Sequence, residues 1–242
     1  TGGGGWGNPG PDYTISPIIY FPRGTYLVSD TIIYSGKERA AWNLVPEAMQ
    51  RELGRNPSKH GAWDTMRGGV PGLDYSKISK TGVKNYWEHV ARIRFIGEER
   101  NGTIIKLQDR AQGFGEGTRK PILSFGKSHF NNHVAKNAVR NLTIDSGTGN
   151  PGAVAIHLNG ANTVDISNVT IQSSDGRGAS GIDVLIPPTQ GYHSNITIDG
   201  FDYGIYLGGY HVTHPVFEYI TLKNQHKTGI YVASSSTSVR GL

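Results

Sequence analysis

The sequence contains no cysteine. Disulfides and thiolate zinc sites are therefore excluded, and the redox compartment cannot be read from the chain. Charge is also sparse, at 18% of residues, and no run of lysine or arginine stands out. The net charge of +5 is spread thinly, and no basic stripe carries interleaved aromatics, which argues against a nucleic-acid partner. A modest basic excess suits an acidic polymer without requiring one. No apolar stretch approaches the roughly 18 residues of a membrane span. No secretory leader opens the chain, which begins at Thr1 before Gly2 to Gly5 and ends at Val239-Arg240-Gly241-Leu242. The reading is a mature or trimmed portion of a longer protein, secreted to the extracellular space or periplasm.

Glycine, by contrast, is plentiful at 34 residues, and it follows no three-residue period. That excludes collagen and points to many turns. The strongest signal is a repeat. Asn141-Leu142-Thr143-Ile144 recurs as Asn168-Val169-Thr170-Ile171, as Asn195-Ile196-Thr197-Ile198 and more loosely as Tyr219-Ile220-Thr221-Leu222, at spacings of 27, 27 and 24 residues. A second motif interleaves with it. Ala155-Ile156-His157-Leu158 is followed by Gly181-Ile182-Asp183-Val184, Gly204-Ile205-Tyr206-Leu207 and Gly229-Ile230-Tyr231-Val232, at spacings of 26, 23 and 25. Each motif alternates apolar and polar residues, as strands do, and each is followed by turn chemistry. Leucine-rich repeats need a leucine consensus that is absent, and propeller blades are longer. The period fits coils of a right-handed parallel β-helix, stacked about 4.8 Å apart. The fold class is all-β, a solenoid with a loop and helix insertion.

Stacking explains the residue choices. Isoleucine and valine point inward. Asn141, Asn168 and Asn195 share one coil position and can form an amide ladder. With Asn101 they also open Asn-x-Thr sequons, so glycosylation competes with the ladder. Upstream, Ile18 to Phe21, Thr25 to Val28, Arg94 to Gly97, Thr103 to Leu107 and Pro121 to Phe125 read as further strands. Residues 35–91 break the rhythm. They hold Trp42, Trp63, Trp87 and a helix candidate from Val45 to Leu53, and they read as an insertion. Residues 92–242 form stacked coils, most regular over 141–232, in a single β-helix segment spanning 1–242.

The run Tyr20-Phe21-Pro22-Arg23-Gly24-Thr25-Tyr26-Leu27-Val28 resembles the opening of the pectate-lyase superfamily β-helix domain, where it follows a capping amphipathic helix. Phe95-Ile96-Gly97-Glu98 with Thr103-Ile104-Ile105-Lys106 is similar to the next coil. Gly200 to Gly209 and Phe217 to Asn224 resemble the first β-helix of two-helix β-1,3-glucanases. The resemblance implies a carbohydrate-active enzyme. In the two-helix glucanases it further implies a site between two β-helices, with the acid largely from the second, so a second β-helix domain or chain is an expected partner.

In the second motif, the residue between the inward pair gives an outward column of His157, Asp183, Tyr206 and Tyr231. A carboxylate flanked by His and Tyr suits acid–base work, and tyrosines suit sugar faces. A solvated, tiled sheet is the plainer alternative. The first motif gives Asp145, Gln172, Asp199 and Lys223, where an ion pair between Asp199 and Lys223 competes with a hydrolytic carboxylate pair. Asp202 and Lys227 each sit two residues before the glycine of their motif. Lys227 would be a lyase base if its pKa were lowered, and a surface partner of Asp202 otherwise. Arg177, in the turn Asp175-Gly176-Arg177-Gly178, is a candidate clamp for a substrate carboxylate.

His211 and His214 lack a third ligand, so no metal site is assigned. No cofactor is implied for a hydrolase. A lyase would take calcium, with Asp199 and Asp202 as two donors. The expectation is a glycoside hydrolase acting on a polysaccharide or oligosaccharide, with Asp183, Asp202 and Lys227 as catalytic candidates and His157, Tyr206, Tyr231 and Arg177 as substrate-binding ones. The alternatives are a polysaccharide lyase on a uronate polymer, or a non-enzymatic glycan-binding, tailspike or adhesin module. Neither a membrane nor nucleic acid is an expected partner.

Overall fold

Among the described residues, fifteen short strands account for the architecture. The computed structural model describes residues 18–34, 93–125, 137–158, 164–185, 190–208, 212–233 and 235–242, which all belong to one compact unit. The insertion expected over 35–91, with Trp42, Trp63, Trp87 and the helix candidate, lies outside the described residues, as does His211. In chain order the strands are β1 (Ile18–Phe21), β2 (Gly24–Val28), β3 (Ile32–Tyr34), β4 (Arg94–Gly97), β5 (Thr103–Leu107), β6 (Lys120–Phe125), β7 (Ala138–Asp145) and β8 (Ala153–His157). They continue as β9 (Val164–Gln172), β10 (Ser180–Val184), β11 (Gly191–Asp199), β12 (Tyr203–Leu207), β13 (Val212–Lys223), β14 (Thr228–Val232) and β15 (Ser235–Arg240).

All pairings are parallel. One sheet runs β1-β4-β7-β9-β11-β13-β15, with β2 and β5 alongside, and the other runs β14-β12-β10-β8-β6-β3. Successive coils add to both sheets in turn, which makes a parallel β-helix. The repeat sets the register. Leu142 lies opposite Val169 and Ile144 opposite Ile171; Val169 and Ile171 lie opposite Ile196 and Ile198, and these opposite Ile220 and Leu222. The second motif aligns Ile156, Ile182, Ile205 and Ile230 in the same way. These side chains form the buried core, with Leu222 and Ile230 partly buried against its end. Fully burying each aliphatic contributes about 1.5–3 kcal/mol. The motif glycines leave room for side chains of the first sheet. A Cβ on Gly181 would lie 2.6 Å from the Ile198 side chain, and one on Gly204 would lie 2.9 Å from Leu222.

The first sheet turns a corner within its long strands. Asn141, Asn168 and Asn195 each take the left-handed backbone conformation, with φ of 54°, 56° and 52°. Asparagine tolerates that region better than other residues with a Cβ. The three amides form the expected ladder: Asn168 Nδ2 donates to Asn141 Oδ1 at 2.9 Å, and Asn195 Nδ2 to Asn168 Oδ1 at 3.0 Å. Earlier coils turn the same corner with a break between two strands, at Pro22-Arg23 and at 98–102. From the second break Arg100 reaches forward along the face to later coils. It donates to Thr170 Oγ1 (2.8 Å), Thr197 Oγ1 (2.7 Å) and Asn195 Oδ1 (3.0 Å) and so pins successive coils together.

Candidate functional site

The second sheet presents an outward row in which each coil supplies a different chemistry. Register pairs Ser124 with His157, His157 with Asp183, Asp183 with Tyr206, and Tyr206 with Tyr231. This is the column expected from the spacing, with Ser124 added at its start. Neighbouring side chains stand about 4.8 Å apart because they are one coil apart.

The row is not a simple solvated face. Asp183 is 1% exposed. Its cover is Arg119, which ends the loop between β5 and β6. That loop is anchored by the buried Phe114, whose carbonyl accepts the Gly152 N–H at 2.9 Å. The Arg119 guanidinium binds Asp183 through two bonds, Nη2 to Oδ1 at 2.6 Å and Nε to Oδ2 at 3.1 Å. Nη2 also donates to Ser180 Oγ at 3.1 Å, and Ser180 in turn donates a very short bond to Asp183. Beyond the carboxylate, the guanidinium carbon lies 4.3 Å from the Tyr206 ring centroid. Tyr206 and Tyr231 stack with centroids 4.8 Å apart and planes 11° from parallel. Arg119 is anchored one coil before Tyr206, and Tyr231 stands one coil after it. The two faces of Tyr206 are therefore taken by the guanidinium and by Tyr231. The result is a continuous stack of carboxylate, guanidinium, phenol and phenol. Tyr206 consequently offers no free ring face to a sugar, whereas Tyr231, 39% exposed, ends the stack.

Burial sets the titration of the inner members. It pushes the Asp183 carboxyl above its ordinary range, against the opposing pull of Arg119 and Ser180. It pushes His157 below its usual value, with the Arg119 charge adding to the effect and Asp183 opposing it. His157 is thus a neutral imidazole. Its Nδ1 lies 3.5 Å from Ser124 Oγ, and its buried Nε2 has no hydrogen-bond partner among the described residues.

Asp202 and Lys227 join the outer end of this row. Their turns stack, Lys227 N–H donating to the Asp202 carbonyl at 2.9 Å, and their side chains form a half-exposed ion pair at 2.6 Å. Lys227 Nζ also lies 5.6 Å from the Tyr203 ring, which packs edge-on against both Tyr206 and Tyr231. The bond to Asp202 holds the Lys227 amine above its ordinary value. The neutral amine that a proton-abstracting lysine needs is therefore disfavoured, contrary to the lowered pKa the sequence reading required of a lyase base.

Arg177 occupies the turn one coil before Asp202. Its N–H is held by Asp175 Oδ1 at 3.0 Å, and its exposed guanidinium takes no partner among the described residues. The other column assembles as Asp145, Gln172, Asp199 and Lys223 in register. It lacks the expected ion pair: Asp199 instead accepts from Asn224 Nδ2 at 2.7 Å. Asp145 is buried and bonded to Ser174, Gln172 and the Gly147 N–H, which is a structural role. Arg119, Ser180 and Tyr203 are the members that sequence reasoning missed. Ser180 and Tyr203 were findable, since both stand three residues before the outward residue of their motif and pair with each other. Arg119 carried no signal, because it lies outside the repeat.

Residues 82–241 match the family model described as rhamnogalacturonase A/epimerase, pectate lyase-like. No curated protein and no solved structure matches the chain. The match spans well over half of the sequence and covers the row just described. The chain therefore belongs to the rhamnogalacturonase A/epimerase family of pectate lyase-like proteins, a family of carbohydrate-active β-helices.

Proposed function

We propose that the protein is a glycoside hydrolase whose polysaccharide substrate lies across the outer face of the second sheet, at the Tyr231 end of the stack. The observation that carries this reading is the meeting there of an exposed tyrosine, a half-exposed carboxylate and a cation. Tyr231 supplies a ring edge and face for a sugar. Asp202, held by Lys227, is the accessible carboxylate and takes the acid–base role. Lys227, kept protonated, serves better to neutralise an acidic sugar than to remove a proton. Arg119 adds a second cation, so the face favours a polymer with carboxylated units. His157 and Asp183 form a sheltered inner pair behind Arg119. Should the substrate also be held by a second β-helix, as the likeness to two-helix glucanases implies, this face is the half of the groove that the chain contributes.

The test is turnover of polygalacturonate and laminarin by the full protein. New reducing ends without ultraviolet absorbance are expected, on the acidic polymer first. Unsaturated, absorbing products would replace the hydrolase with a lyase. Retained glycan binding with no turnover on either polymer would leave a binding module.

A further inference from the structure

Arg119 fills a place that a working site would need open. Its guanidinium seals Asp183 from solvent and covers one face of Tyr206. Yet it is the more exposed partner, with its side chain 32% accessible against 2% for Asp183. It arrives from a loop, and its bonds to Asp183 and Ser180 are side-chain bonds that exchange without moving the solenoid. A carboxylate presented from solvent offers the guanidinium the same two-pronged partner that Asp183 offers now. A neutral sugar offers nothing equivalent.

We propose that Arg119 is the specificity-determining residue of this face: an acidic sugar draws its guanidinium off Asp183, and a neutral one leaves the inner pair sealed. The inference rests on the polysaccharide reading above and adds a mechanism of selection to it. Drawing Arg119 outward uncovers Asp183, the unpartnered Nε2 of His157 and one face of Tyr206 together. The discrimination then lies in exposing the inner groups, beyond any gain in affinity.

His157 reports this directly, because the groups facing it are Ser124, Asp183 and Arg119. Nuclear magnetic resonance would follow its imidazole in ¹⁵N-labelled protein, with the signal assigned by His157→Gln. The probes are trigalacturonate and the neutral laminaritriose. Removing the cation and admitting water both raise the imidazole titration midpoint. The expected result is an upward shift on adding trigalacturonate and none on adding laminaritriose. Arg119→Gln should show the raised midpoint without any probe and respond no further. Arg119→Lys, which keeps charge but loses the paired bonds, should lie between, and circular dichroism would confirm that both variants are folded. If trigalacturonate binds but leaves His157 unmoved, Arg119 is a fixed strut: the selection mechanism fails while the polysaccharide reading stands. If the Arg119→Gln midpoint equals that of the wild type, Arg119 is no cover, and the proposal fails whatever binds. If trigalacturonate binds neither wild type nor variant, the acidic-substrate reading and the mechanism fall together.

Discussion

Two outward rows run along the same solenoid and follow opposite rules. At the corner of the first sheet, Asn141, Asn168 and Asn195 repeat one identity, flanked by Thr143, Thr170 and Thr197 in register. Each amide bonds to its own copy one coil away, and Arg100 only adds to that ladder, donating to Asn195, Thr170 and Thr197. On the second sheet the equivalent row reads Ser124, His157, Asp183, Tyr206, Tyr231, with a new chemistry in nearly every coil. That row buries a carboxyl that has no copy of itself to bond to. Arg119 arrives from a loop to compensate the buried carboxyl, and even so His157 Nε2 stays unpartnered. Within one chain, repetition marks what holds the coils together, and departure from repetition marks where chemistry is placed.

The strongest way to break this contrast is to exchange the expected consequences. Asp202→Asn keeps the shape of the varied row and removes its accessible carboxylate. Turnover should fall about 10²–10⁴-fold, the usual weight of a general acid or base, with the urea midpoint nearly unchanged. A large loss of stability with activity retained would place Asp202 on the structural side instead.

A third row, pointing inward, sharpens the rule. Phe95, Val139, Ile166, His193 and Phe217 occupy one core position along the first sheet, and the exposed Val239 follows them in register. His193 interrupts it, fully buried, its ring tilted 30° against Phe217 at a centroid distance of 4.8 Å, and with neither ring nitrogen bonded among the described residues. Burial pushes it down to about 3 from an ordinary 6.5. A folded value below the unfolded one means stability that is whole above pH 6.5 and is lost as pH falls towards 3. The loss approaches about 1.4 kcal/mol per pH unit in that window. His193→Leu should flatten the acid limb of a stability–pH curve and raise stability near neutrality by about 1 kcal/mol, through removal of unsatisfied polar atoms. An unchanged acid limb would show that His193 finds a partner when protonated.

Asn168→Ala tests the uniform row at its centre. It removes two side-chain bonds and leaves alanine at a φ of 56°. A loss of about 2 kcal/mol is expected, with turnover unaffected, and urea unfolding would measure it. Asn168→Gly should recover about half, since it relieves the backbone and not the bonds. If both variants cost the same, the ladder bonds contribute the whole effect.

The same contrast explains what the sequence showed. The coils, their register and the amide ladder were legible because each is a periodic pattern read from identical residues at fixed spacing. The varied row was legible in position, since His157, Asp183, Tyr206 and Tyr231 follow from the same spacing. Its state was not. That Asp183 is sealed and Tyr206 blocked depends on Arg119, which belongs to no repeat and reaches its partner by the path of a loop. The missing ion pair between Asp199 and Lys223 has a similar cause: Asn224, one residue on, takes the carboxylate first. Alignment of coils fixes which residues are neighbours, and competition among nearby donors decides which of them bond.

The smallest effect is the most discriminating, because it asks whether the uniform row can be extended. In the fourth coil the asparagine position is held by Tyr219, at φ 53° and 60% exposed. A tyrosine there carries the left-handed backbone cost without continuing the ladder. Tyr219→Asn should lower that cost and let the new amide donate to Asn195 Oδ1, which among the described residues accepts from Arg100 Nη1 alone and has a second lone pair. A gain of about 0.5–1 kcal/mol is expected in urea unfolding. Tyr219→Gly separates the two contributions, since it relieves the backbone alone. If stacking of identical amides holds the coils, the asparagine variant exceeds the glycine variant, and the excess vanishes when Asn195→Ala is added. If glycine does as well, the corner selects asparagine for its backbone, and the ladder bonds follow from that choice instead of causing it.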